Sequence, residues 1–109
     1  MEHRKEVVYA VTVRVDESIA VEWLTWMQHV HIPEVLATGC FAAHELRRLL
    51  EPKEAGRATF EIRYLCASQE DYRRYQEVHA SRLQSEHTSR YGGRIEASRR
   101  LYGSMETRS

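Results

Sequence analysis

The chain has 109 residues, 42% of them apolar and 29% charged, with 16 Lys+Arg balancing 16 Asp+Glu. That is one domain of ordinary size with a modest core. A net charge of zero offers nothing to draw in nucleic acid or an anionic membrane surface. No run approaches the ~18 apolar residues of a membrane span, and the charged start, Met1 to Glu6, has no apolar stretch behind it. A cytoplasmic setting is therefore expected. Cys40 and Cys66 lack CxxC spacing and read as two small buried hydrophobes. Fourteen of the sixteen cations are Arg, a bias toward bidentate pairing and stacking.

Residues 7 to 15 predict a first strand. Val7, Tyr9, Val11, Val13 and Val15 share one face; Val8, Ala10, Thr12 and Arg14 share the other, which is only half polar. Asp16 or Ser18 is placed to cap a helix whose apolar residues, Ile19, Trp23, Trp26, Met27 and Val30, form one stripe. Trp23, Trp26 and Met27 read first as core. Ile32 precedes Pro33, so the helix is expected to stop there, with His31 at the break. A short new turn follows, with Pro33 at its start, Glu34 at its positive end and Gly39 as its C-terminal cap.

Residues 42 to 50 tolerate either helix or strand by propensity. Gly39 before them and the turn-rich stretch 51 to 56 after them favour a strand. Residues 57 to 66 predict another, with Ala58, Phe60, Ile62, Tyr64 and Cys66 on one face. Ser68, Gln69, Glu70 and Asp71 resemble a capping box opening a helix that runs to about residue 90 and ends at Gly92-Gly93. Residues 94 to 102 complete the set as a strand with Ile95, Ala97 and Leu101 inward, and 103 to 109 are expected to fray.

The order strand, helix, strand, strand, helix, strand is the split βαβ arrangement. The fold class expected is α+β, ferredoxin-like βαββαβ, a four-stranded antiparallel sheet with both helices on one face. Its core would span about residues 7 to 102, within a single domain over 1 to 109.

The second helix carries the functional signal. Stepping ~100° per residue from Tyr72 gathers Tyr72, Gln76, His79 and Leu83, with Tyr75 and His87 on the flanks. A face that only filled a core would carry Leu, Ile and Val. Buried Tyr and His need hydrogen-bond partners, so this face is expected to line a polar cavity. His31 would approach from the other helix. The candidate constellation is therefore His31 and His79 as acid or base, with Tyr72, Tyr75 and His87 as binding groups and Trp23, Trp26 and Met27 as apolar walls. Each His also has a plain structural reading, in which it bonds a backbone carbonyl or caps a helix end.

No cofactor and no metal are expected. His29 and His31 lack i,i+4 spacing, and eight helical residues separate His79 from His87 by ~12 Å, too far to share an ion with bonds of ~2.1 Å. The third strand lacks the glycines of an RNA-recognition motif, and its aromatics fall on the helix-facing side.

With its His31-Ile32-Pro33-Glu34 and Thr38-Gly39-Cys40-Phe41 segments, the chain resembles the dimeric α/β-barrel superfamily. That group includes small monooxygenases, muconolactone isomerase-type, EthD-like and YCII-type proteins. The residues Trp23-Leu24-Thr25-Trp26-Met27, Asp71-Tyr72-Arg73-Arg74-Tyr75 and His87-Thr88-Ser89-Arg90-Tyr91-Gly92-Gly93 make it similar to a bacterial family of unknown function over about residues 7 to 102. The resemblance implies a homodimer, two sheets packed face to face, with a small-molecule pocket in each subunit. An open sheet face carrying Val8, Ala10, Thr12, Thr59 and Leu65 agrees, being too apolar for full exposure, with Arg14, Glu61 and Arg63 able to pair across it. Three functions follow as expectations: a domain binding a small organic molecule, a cofactor-free enzyme moving a proton through His31, or a purely structural dimer.

Overall fold

A computed structural model of the chain describes residues 6–106; residues 1–5 and 107–109, and with them the expected charged start and the end of the frayed tail, lie outside the described residues. Four antiparallel strands, β1 (Val7–Asp16), β2 (Ala43–Arg48), β3 (Arg57–Cys66) and β4 (Ile95–Gly103), form one sheet in the order β2-β3-β1-β4. Four helical segments pack on one face: α1 (Ala20–Trp26), α2 (Ile32–Ala37), α3 (Gln69–Val78) and α4 (Ala80–Tyr91). This is the ferredoxin-like βαββαβ fold, each of its two helices being divided.

The central pair β1 and β3 follows from its alternation. Val13 pairs with Phe60 and Val11 with Ile62, and the five expected residues of each inward face are all buried. Ala10 is buried on the opposite face, while Val8, Thr12, Thr59 and Leu65 are half-buried. The charges there find partners within the chain. Arg14 pairs with Glu54 and Glu96, and Glu61 accepts from Arg47 at 2.7 Å and lies 3.5 Å from Arg63.

The first helix departs from expectation in an informative way. It does not stop at Ile32; Met27–His31 form one π turn that joins α1 to α2, and Ile32 stays helical at φ −60°, ψ −46°. The Ile32 N–H bonds the Met27 carbonyl, five residues back. A proline lacks the N–H of an α-helical bond, and its ring crowds the carbonyl four residues before it. Widening the preceding turn accommodates Pro33 without a break.

The extra residue also rotates the chain. The inward residues become Ile19, Trp23, Met27, His31 and Val35, each four after the last, while Val30 turns outward, 39% exposed. His31, not Val30, therefore completes the stripe. Helix entry differs as well: Asp16 starts a short 3-10 turn, Glu17–Ile19, without a side-chain capping bond, and α1 is entered from Ile19. At the other end Gly39 takes φ +77°, as its capping role requires.

The second helix is likewise two segments. Ser68 accepts from the Asp71 N–H at 3.2 Å to open α3, and a kink at His79, φ −120° and ψ −34°, separates it from α4. The kink moves the buried face. Tyr75, Leu83, His87 and Tyr91 are its centre, Tyr72 and His79 are half-buried, and Gln76 is exposed. The kink thus swaps flank and centre relative to an ideal helix.

On β4 the inward side is Ile95, Ala97, Arg99 and Leu101, opposite Val15, Val13, Val11 and Tyr9. Only Ile95 is half-buried; the helices do not reach the rest, and Leu101 is 40% exposed. Gly103 closes β4, and the Ser104 N–H donates to the Glu6 carbonyl at 3.2 Å, so the chain stays tied beyond residue 102. Both cysteines are buried free thiols, and burial pushes the Cys66 thiol up to about 12.

Candidate functional site

The π turn and α4 deliver His31 and His87 to one point above the sheet. Their ring centroids stand 5.2 Å apart. Trp26 covers both from the outside, stacked at 5.1 Å on His31 and 5.8 Å on His87. Arg90 lies over the Trp26 ring at 5.3 Å. Trp23, buried beneath, donates from Nε1 to His87 Nε2 at 2.9 Å. An imidazole nitrogen that accepts carries no proton, so neutral His87 keeps its hydrogen on Nδ1.

Neither histidine is charged near neutrality. Burial lowers His31 from its ordinary value to about 4; Glu86 opposes that shift and Arg99 adds to it. His87 is lowered to about 4 by burial, then by His31 and Arg99. His31 Nδ1 is buried and has no hydrogen-bond partner. A buried polar atom left unpaired costs about 1–3 kcal/mol, so this nitrogen needs a partner.

His31 and His87 line a cavity between helices and sheet, together with Met27, Val11, Ile62 and Tyr75. Its volume is about 20 Å³, or about 320 Å³ counting the open space at its mouth. The inner part is the size of one water, since a water needs about 10–15 Å³. Every lining residue is buried except Gln84, half-buried on α4, and Arg99, exposed on β4. Those two therefore mark the mouth. Gln84 Nε2 lies 3.4 Å from the Tyr9 hydroxyl, and burial keeps Tyr9, Tyr64 and Tyr75 protonated by raising their pKa values.

Of the residues singled out from sequence, His31, His87, Met27 and Tyr75 line this cavity. Trp23 and Trp26 stand behind the imidazoles rather than in the wall. Tyr72 packs on Tyr9 at 5.4 Å and accepts from Gln76 Nε2 at 2.9 Å. His79 lies outside the wall, stacked on Tyr75 at 6.5 Å. Arg99 and Gln84 were not anticipated. The signal for Arg99 was present: the alternation that places Ala97 and Leu101 inward places Arg99 between them. Among the described residues no three His, Cys, Asp or Glu side chains gather as a metal would require, and no helix is long and apolar enough to cross a membrane.

A family model described as a domain of unknown function, DUF4286, matches residues 6–105. The chain belongs to the DUF4286 family. Among curated proteins no sequence matches this DUF4286 chain. Solved structures do. SnoaB, a cofactor-independent oxygenase from Streptomyces nogalater, superposes in a variant form with a TM-score of 0.69 at 14% identity, covering 94% of this chain and 96% of its own. A dimeric ferredoxin-like protein from an uncultured marine organism gives 0.60 at 12% identity, covering 94% and 99%. A de novo designed protein, Foldit4, gives 0.58 at 19% identity, covering 93% and 100%. These likenesses establish the ferredoxin-like α+β fold. That a designed protein shares it shows how little the fold alone says of activity.

Proposed function

We propose that this DUF4286 domain is a homodimer that binds a small organic molecule in the pocket between its sheet and helices. The observation that carries this reading is the buried, neutral His31–His87 pair with His31 Nδ1 unpartnered beside a cavity that opens at Gln84 and Arg99. The Trp23 bond accounts for His87, but no packed neighbour pairs His31 Nδ1. A ligand group that hydrogen-bonds His31 would remove that cost. The inner cavity admits only a small group, so the rest of the molecule lies at the mouth.

Dimerisation through the open sheet face is supported by the half-buried Val8, Thr59 and Leu65 on it and by the dimeric protein of the same fold. Light scattering coupled to size exclusion tests it: a mass twice the 12.8 kDa of one chain supports the dimer, and a single-chain mass removes it.

Turnover is the second reading, supported by the likeness in fold to a cofactor-independent oxygenase. An imidazole at about 4 is a poor base near neutrality. Proton abstraction by His31 would need the bound molecule to raise that value, so binding without turnover fits the unliganded geometry better. Native mass spectrometry of the protein purified from cells tests the binding reading. A stoichiometric small-molecule adduct that His31→Phe abolishes supports it. An adduct-free protein, with unchanged stability in His31→Phe, indicates a purely structural domain.

A further inference from the structure

The pocket wall holds one formal charge. Arg99 is its only ionised side chain, since His31 and His87 are neutral and the tyrosines keep their protons. Among the described residues Arg99 makes no ion pair, and it is the one arginine in this pocket's wall. Its charge nevertheless acts on five groups of this site, Tyr9, His31, Tyr72, Tyr75 and His87. A guanidinium presents parallel N–H donors that match a carboxylate or another planar oxyanion. Ala97 and Leu101 flank it on the same side of β4, both exposed.

We propose that the ligand of this pocket is a small organic monoanion whose negative oxygens meet the Arg99 guanidinium at the mouth, whose carbon skeleton rests on Ala97 and Leu101, and whose inward end hydrogen-bonds His31 Nδ1. The proposal rests on the pocket reading above and narrows it to a class. A neutral ligand would gain nothing from the Arg99 charge, and a cation would face it with no carboxylate in the wall. Arg99 sets charge specificity; the histidine pair sets depth and orientation.

The chain has two tryptophans, so two indole N–H signals report in a ¹⁵N NMR spectrum. The Trp23 signal is bonded directly to His87 and so reads the cavity. The probes are 4-hydroxybenzoate and its neutral isostere 4-hydroxybenzamide, whose hydroxyl supplies the inward hydrogen bond to His31; they are titrated against the full chain, against Arg99→Gln and against Arg99→Lys. The 4-hydroxybenzoate is expected to shift the Trp23 signal saturably, with 4-hydroxybenzamide at least tenfold weaker. In Arg99→Gln that preference falls to near parity, and in Arg99→Lys it is partly kept. Equal binding of the two probes by the unaltered chain would overturn the anion assignment and leave the pocket standing. A preference for 4-hydroxybenzoate that survives in folded Arg99→Gln would overturn the role of Arg99. Failure of both probes to move Trp23 would remove this inference and the pocket reading together.

Discussion

Trp23 Nε1 donates to His87 Nε2 at 2.9 Å across 64 residues of sequence, and this buried bond joins the first helix to the last. It satisfies the indole N–H, fixes the tautomer of the imidazole and holds His87 5.2 Å from His31. Trp23→Phe removes the donor and leaves His87 Nε2 buried without a partner. The expected cost is about 2–4 kcal/mol, combining lost ring burial with the orphaned nitrogen. Urea denaturation measures it. Adding His87→Leu to Trp23→Phe should cost less than the sum of the two single losses, because the bond is counted in both.

Stability should depend on pH through the histidine pair. Both folded values, about 4, lie below the ordinary 6.5. Between those limits the unfolded chain binds protons that the folded chain refuses, so the pair's contribution is intact above pH 6.5 and is lost as the pH falls toward 4. Each histidine adds a slope of at most about 1.4 kcal/mol per pH unit in that window. Two like charges 5.2 Å apart also mean that the second proton enters later than the first. Urea midpoints at pH 7.5, 6 and 5 should fall in that order, and less steeply in His31→Leu.

Pro33 should control where His31 points. Pro33→Ala supplies an N–H that can reach the His29 carbonyl, and it relieves the ring crowding that the π turn accommodates. The turn is then free to relax to α-helical pitch, which rotates His31 away from His87. The imidazole of His31 should titrate closer to its ordinary value as it leaves the interior, as NMR would register.

The strands were legible because period-two alternation survives folding unchanged. β3 begins and ends at the residues its pattern marks, Arg57 and Cys66, and every inward residue of β1 and β3 is buried. The helices were less so. An ideal wheel puts Val30 in the stripe and Gln76 near the centre of its face, and both are exposed. A π turn before Pro33 and a kink at His79 lengthen the effective repeat to four residues, so His31 and His87 move to the centre instead. Such rotations depend on tertiary packing, and local sequence announces only the proline. Arg99 was readable from alternation, yet its role needed the helix edge, because only the position of α4 shows that the inward side of β4 stays open at Gln84.

The most direct test of the pocket is ¹⁵N NMR of the histidine side chains from pH 8 to 3, with and without 4-hydroxybenzoate. Two imidazoles assigned to His31 and His87 should remain neutral to about pH 4 in the free protein, with His87 protonated on Nδ1 alone. The 4-hydroxybenzoate should then move the His31 signals and leave those of His29 and His44 in place. Titration of both His31 and His87 near 6.5, or a 4-hydroxybenzoate response confined to His29 and His44, would contradict a ligand pocket built on this pair.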